Sequence, residues 1–571
     1  MKKIKLADAI ANILKKNHIN NIFGLQGGSI VHLFDSFEKK KLKVHYFLHE
    51  QTAAFAATAY AKATKKVSCC LVTTGPGSTN TLTGLTAAWQ DSVPVIFISG
   101  QARAAHTSYG KKIRQFGTQE LNILDIVKPI TKHTLFIKNV FGLQKKIENA
   151  IQIAISGRPG PVWIDLPVNL QWEYIKNFTN IKIIKPKNNL LKLNNSIKKK
   201  FTSLLKDSKK PLLVLGYGVR LSNLQNNLYK IIKKKKIPFV STWNGLDIFP
   251  TKDNYNLGVI GIYGAQGANK ALHDSDLIIC LGTRMAIPHT GTLFKEFSPL
   301  SKKIIVNNDK HELNNLNVKF DLKVHAELSQ VVNLFKNIKK FKSWNLIRYK
   351  NLNWNNQKKG TKPNSKVLVK LITSIPIYSK CIITDGSGNA LYTTYQCSDV
   401  KKRDRIICSA AVSSMGAGLA ETIGAGLSKK FKKIICIIGD GSIAMNIQDL
   451  QTIRDYNINC LILLINNNGY KAIRDSQKVF LNKKYYGAHP EWKLKLPNFE
   501  KISAAFGIKY FKIKNSFTSI NKLKNLLDYK KPLICEVFVD EDENILFKQN
   551  FGYNKKLKKF EPLPLNNMSL G

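Results

Sequence analysis

Acidic residues are scarce in this chain: 37 Asp and Glu stand against 89 Lys and Arg over 571 residues, a formal net charge of +52. Such a deficit invites a polyanion partner. The excess is nearly all Lys, spread along the whole length, whereas Arg leads in phosphate and base recognition. Lys, Asn and Ile are over-used together, which points to a codon bias toward A and T, and no nucleic-acid binding is expected. Long apolar runs are also missing. No stretch of about 18 apolar residues occurs, so no membrane span is expected. The nine Cys have no CxxC pair and no metal-ligand spacing; they read as free buried thiols of a protein in a reducing, cytoplasmic setting. In the opening MKKIKLADAIANILKKNHIN, Asp8 and Lys15 break the apolar stretch, which reads as an amphipathic first helix rather than a signal peptide.

What is present is an ordinary globular interior, 44% hydrophobic, in a chain too long for one core. Three blocks alternate helical patterns with short apolar runs bounded by Gly and Pro. The first, 1–175, contains VSCCLVTTGPGS, VPVIFISG and GRPGPVWIDLP. The second, 190–340, contains PLLVLGYG, IPFVSTWNG, SDLIICLGTR and KKIIVNND; the third, 363–550, contains KCIITDGSG, KIICIIGDGS, CLILLINNNGY and PLICEVFVD. This rhythm predicts an α/β protein of three doubly wound parallel-sheet domains, the middle one Rossmann-like. Lys/Asn-rich linkers separate the blocks, and the tail from about 550 has no clear periodicity.

Two places carry chemistry. In the third block one apolar strand ends at Gly439-Asp440-Gly441-Ser442 and another at Asn466-Asn467-Asn468. Asp440 and Asn467 are 27 residues apart, room for a helix and a returning parallel strand. Both polar ends then reach the carboxyl edge of one sheet, where open α/β folds bind ligands. A carboxylate and an amide oxygen suit a hard divalent cation such as Mg2+ that also holds phosphate oxygens, and the glycines let backbone N–H groups approach a diphosphate. In the first block FLHEQTAAFAATAYAK puts Glu50 at the head of an Ala-rich segment that reads as a buried helix. A buried acid meets a partner or is driven neutral.

These segments, with EQTAAFAATAYA (50–61), GPGSTNTLTGLTAAWQDSVPVIFISGQ (75–101) and GDGSIAMNIQDLQTI (439–453), resemble the acetolactate synthase large-subunit family of thiamine-diphosphate enzymes, in order and spacing along nearly the whole chain. The resemblance implies a pyrimidine-binding first domain and a diphosphate-binding third domain. It implies that Glu50 meets N1′ of the cofactor's aminopyrimidine and that Gln119 lines the substrate side. Met415 matches the apolar wedge beneath the bent cofactor, and the Ser413 carbonyl accepts from N4′. Gly441, Ser442 and Asn389 would hold the diphosphate, and the Gly469 carbonyl would join Asp440 and Asn467 as metal ligand. Arg158, Gly216, Gly218 and Arg284 match positions that contact FAD, while Asn307 replaces a common acid, which leaves the flavin open. The partners implied are a 2-oxo acid, a second copy in a homodimer or homotetramer with sites between subunits, and a small regulatory subunit.

The activity implied is decarboxylation of pyruvate and transfer of its two-carbon unit to a second 2-oxo acid. The alternative is a thiamine-diphosphate decarboxylase or carbon–carbon lyase or ligase with another 2-oxo acid. Thr118 stands where the family has phenylalanine, Val168 where it has lysine, and GTRMAIPHTG (282–291) keeps Arg284 but loses the Asp-Arg pair that follows. Those departures concern acceptor choice.

Overall fold

The structure, a computed structural model, describes residues 3–176, 178, 180–187, 193–338, 340–341, 344–352, 361–386, 388–515, 520–554 and 559–570. The expected domain boundary at residue 190 lies outside them.

Three six-stranded sheets follow one another along the chain, each parallel throughout. The first contains β1 (Asn21–Gly24), β2 (Lys43–Tyr46), β3 (Ser68–Val72), β4 (Val95–Gln101), β5 (His133–Phe136) and β6 (Val162–Pro167), in the order β2-β1-β3-β4-β6-β5. The second contains β7 (Pro211–Leu215), β8 (Phe239–Ser241), β9 (Asn256–Val259), β10 (Leu277–Leu281), β11 (Lys302–Asn307) and β12 (Leu322–His325), ordered β9-β8-β7-β10-β11-β12. The third contains β13 (Lys380–Thr384), β14 (Arg405–Ile407), β15 (Lys433–Gly439), β16 (Cys460–Asn466), β17 (Lys509–Ile513) and β18 (Leu533–Phe538), ordered β14-β13-β15-β16-β18-β17. The apolar runs read as strands because helices cover both faces of each sheet: every residue of β3, β4, β7 and β10 is buried. The nine cysteines are free and buried. No helix among the described residues is long and apolar enough to cross a membrane.

The first helix, α1 (Leu6–Lys16), buries Leu6, Ile10, Ile13 and Leu14 on one face. Helix α2 (Glu50–Thr64) is buried nearly all round, which a run of Ala permits and a surface helix would not. It packs on α3 (Ala417–Leu427) of the third domain. Their backbones nearly touch at Gly424, where a methyl group would lie 2.1 Å from the Ala56 carbonyl oxygen. Beside this seam Thr52 donates to Asp449 (2.6 Å) on α4 (Asp449–Asp455), and buried Lys62 donates to Asp91 (2.7 Å) and to the Cys408 carbonyl (2.9 Å). Removing either member of the Lys62–Asp91 pair would strand a buried charge.

The tail departs from its aperiodic reading. β19 (Phe547–Gln549) pairs with β22 (Met568–Leu570) and β20 (Phe551–Asn554) with β21 (Lys559–Pro562), all antiparallel. Strands of three or four residues are too short to display a period. The Gln549 amide donates to Ile262 and Leu565 packs into the second domain's core, so the tail joins the second and third domains.

Candidate cofactor site

Glu50 follows β2 and opens α2, with the His49 ring accepting from the Gln51 amide as cap. Its carboxylate is 8% exposed and accepts from Asn80 Nδ2 at 3.0 Å. The loop after β3 wraps this acid. A methyl group on Gly77 would meet the Thr73 side chain at 2.7 Å and Glu50 Oε1 at 3.5 Å, and one on Gly75 (φ +63°) would lie 2.6 Å from the Gln119 carbonyl oxygen. Gln119 itself has φ +57°. Glu50 and Gln119 are thus brought together around one glycine loop. Behind it, Thr74 Oγ1 donates to Gln101 Oε1 (2.9 Å) and Gln101 Nε2 to buried Asp165 (3.0 Å). Burial raises the Asp165 carboxyl to about 7, against hydrogen bonds from Ser99, Gln101 and Tyr109.

In the third domain β15 and β16 pair in register through Gly439 and Ile465, so Asp440 and Asn467 emerge side by side. Asp440, 2% exposed, accepts from the Gly441 amide (2.8 Å) and the Gly469 amide (2.9 Å). Burial raises its carboxyl to about 6. Asn467 Oδ1 is buried and, among the described residues, has no hydrogen-bond partner. An acceptor oxygen left bare beside a buried carboxylate fits a bound hard cation, which would pair the amide oxygen and balance the carboxylate's charge. Gly469 has φ +123° and packs on Ala488, and its carbonyl accepts from the Lys471 amide at 3.2 Å. Among the described residues no group of three or more His, Cys, Asp or Glu gathers into a metal centre; this donor set is one carboxylate with amide and carbonyl oxygens.

Around the cradle, Ser442 Oγ donates to Asp385 (2.8 Å) and accepts from the Gly416 amide (2.9 Å). Half-buried Met415 stands over Gly386, its Cγ 3.4 Å from where a methyl group there would sit. Ser413 takes φ +51°, with its amide bonded to the Ser409 carbonyl. Asn389 heads the helix Asn389–Cys397 and donates its side-chain amide to the Glu543 carbonyl (2.6 Å). Asp385 escaped the sequence reading. It directly follows β13 in IITDG, as Asp440 directly follows β15 in IIGDG, and that repeated strand-then-Asp-Gly pattern was the available signal. Burial raises its carboxyl to about 6.

Arg158, Gly218 and Arg284 line a cavity of about 780 Å3 at the carboxyl edge of the second sheet, where Asp91, Trp243, His289 and Ala410 also contribute. Arg158 is bound to Asp309 (2.9 Å) and Glu312 (2.6 Å). Arg284 makes no hydrogen bond or ion pair among the described residues. Gly216 and Gly218 pack on Gly282: methyl groups there would lie 2.2 Å from its oxygen and 2.7 Å from its Cα. Backbone packing alone therefore accounts for the GYG. In the divergent segment 282–291, the Pro288 carbonyl accepts from the Ile262 amide, and burial with Arg284 lowers the His289 pKa to about 3. Thr118 precedes Gln119 on its exposed loop, and Val168 opens the short helix Val168–Gln171.

Three descriptions in one family set match this chain in order: thiamine pyrophosphate enzyme, N-terminal TPP binding domain at residues 4–126, central domain at 199–334, and C-terminal TPP binding domain at 386–537. The acetolactate synthase large subunit of Cyanidium caldarium is 32% identical over 560 residues, covering 94% of each chain. That of Porphyra purpurea is 31% identical over 558 residues, covering 94% of this chain and 92% of its own. The large subunit from Lactococcus lactis is 30% identical over 571 residues, covering 96% and 95%. With its three sheets, paired oxygen donors and wrapped acid, the chain belongs to the acetolactate synthase large-subunit family of thiamine-pyrophosphate enzymes.

Proposed function

We propose that this protein decarboxylates pyruvate and joins the two-carbon unit to a second 2-oxo acid. The observation that carries the reading is the bare Asn467 oxygen beside Asp440, on the sheet edge that also bears Ser442 and Met415. When bound, thiamine diphosphate supplies the carbanion-stabilising chemistry that a 2-oxo acid decarboxylation needs. The chain's own groups bind and orient it. Asp440, Asn467 and the Gly469 carbonyl hold Mg2+. The Gly441 and Ser442 amides, with Asn389, take the diphosphate. Met415 and the Ser413 carbonyl set the conformation of the ring end. Glu50, with Gly77 packed beside its carboxyl group, would hydrogen-bond the aminopyrimidine and exchange a proton with it. Gln119 faces the substrate.

Completion of each site by a second copy in a homodimer or homotetramer is what the resemblance to the acetolactate synthase large-subunit family implies. The exposed Leu48 and Phe116 of the first domain and Ile473, Val479 and Phe480 of the third are apolar surface suited to that copy. The cavity lined by Arg158, Gly218 and Arg284 has the size of a cofactor site and is assigned to FAD. A small regulatory subunit is assigned because the relatives are named large subunits, and a cytoplasmic setting because all nine thiols are free.

The test is acetolactate formation from pyruvate alone with thiamine diphosphate and Mg2+, read as acetoin after acidification. Steady product formation is expected. The loss of charge at Ile287 and Pro288 in GTRMAIPHTG favours the second reading, a thiamine-diphosphate decarboxylase or ligase with another 2-oxo acid. CO2 release without acetoin, or no reaction of pyruvate at all, would replace the first reading by this one.

A further inference from the structure

The turn that presents Asn467 is held by a residue of the following helix. Asn468 and Gly469 both take positive φ, 60° and 123°, a left-handed path that asparagine and glycine tolerate and other residue types disfavour. Arg474, on α5 (Lys471–Phe480), is only 4% exposed and lies directly behind this turn. Its Nη2 donates to the Asn467 carbonyl (2.9 Å) and the Glu541 carbonyl (2.8 Å). Its Nη1 donates to the carbonyls of Asn468 and Ala488, both at 3.2 Å. All four acceptors are backbone oxygens, drawn from three separate segments. Arg474 forms no ion pair among the described residues. A planar guanidinium can bind four carbonyls in one fork; a lysine ammonium, a single point with three donors, cannot. The turn is fastened again where Asn468 Nδ2 donates to Glu541 Oε1 (2.9 Å) and the Gly469 amide donates to Asp440 (2.9 Å).

We propose that Arg474 is a positioning residue for the metal: by gripping the carbonyls of Asn467 and Asn468 it fixes the turn from which the Asn467 side-chain oxygen meets the same cation as Asp440. The inference rests on the cofactor-site reading above. It assigns Arg474 no contact with the metal, the cofactor or the substrate.

Mn2+ binding to the full-length protein, followed by electron paramagnetic resonance with saturating thiamine diphosphate, tests it without recourse to activity. Arg474→Lys and Arg474→Gln are each expected to raise the Mn2+ Kd at least tenfold. Far-UV circular dichroism of the metal-free protein should be unchanged, and excess Mn2+ should restore one ion per chain. A Kd within twofold of the parent in both variants would overturn the proposal. Failure of both variants to fold would overturn it too, because a role confined to the metal turn leaves the metal-free fold standing. Asp440→Ala is measured alongside. If it keeps the parental Kd, the metal-site reading itself fails; if it loses Mn2+ while both Arg474 variants keep it, only the role of Arg474 fails.

Discussion

In the first sheet the strands run β2-β1-β3-β4-β6-β5, and in the third β14-β13-β15-β16-β18-β17, the same pattern carried by two different sequences. In each domain the helix after the second strand, α2 or α3, packs against its counterpart across the seam. The chemistry differs by loop. The first domain places its acid, Glu50, at the head of that helix and closes a glycine loop around it. The third keeps the head of that helix free of acids and puts its oxygen donors after the third and fourth strands, at Asp440 and Asn467. One scaffold thus presents a buried carboxyl at a helix head in one copy and a pair of oxygen donors at the sheet edge in the other. Which loop carries which group is a property of short stretches, not of the fold.

The comparison is broken most severely by removing the cradle. Asp440→Ala should lower Mg2+-dependent retention of thiamine diphosphate by 100-fold or more, read by equilibrium dialysis, while the first domain stays intact. Glu50→Gln attacks the other half. Cofactor affinity should stay within a few-fold of the parent, and turnover of pyruvate should fall by about 10²–10⁴, the usual worth of a positioned acid or base. Affinity lost in step with turnover would make Glu50 a binding group only.

Two smaller changes probe the seam that joins the domains. Gly424→Ala puts a methyl group against the Ala56 carbonyl, and an overpacked contact of this kind costs about 1–3 kcal/mol. Denaturant unfolding should register that loss with the Mg2+ affinity unaltered. Asp449→Asn keeps an acceptor for Thr52 and removes a titrating group. Burial raises the Asp449 carboxyl to about 8, against the Thr52 hydrogen bond. Because the folded pKa lies above the unfolded one, this group's contribution is full at low pH and is lost as pH rises through about 8. The drop in melting temperature between pH 5 and pH 8.5 should therefore be smaller in Asp449→Asn than in the parent; an equal drop would show that Asp449 does not titrate in that window.

Much of this was legible along the chain because the groups concerned end strands. Asp440 and Asn467 follow apolar runs at a spacing that dictates adjacent parallel strands, and the Ala-rich stretch after Glu50 announces a buried helix. What stayed hidden depends on partners far away in sequence. The packing of Gly216 and Gly218 on Gly282, just past another strand, has no local mark. The bond from Asn389 to the Glu543 carbonyl is equally unmarked. Arg474 reads as one more cation on an amphipathic helix, since its four carbonyl partners leave no mark in the sequence.

The central claim is that the acid of one chain works with the cradle of another. Mixing Glu50→Gln and Asp440→Ala subunits, after dissociation and reassembly, tests it directly. Half of randomly paired dimers are mixed, and one of the two sites in each is whole, so about a quarter of parental acetolactate formation should return. If the mixture stays as inactive as its parts while sedimentation confirms mixed dimers, both halves of the site belong to one chain and the account is wrong.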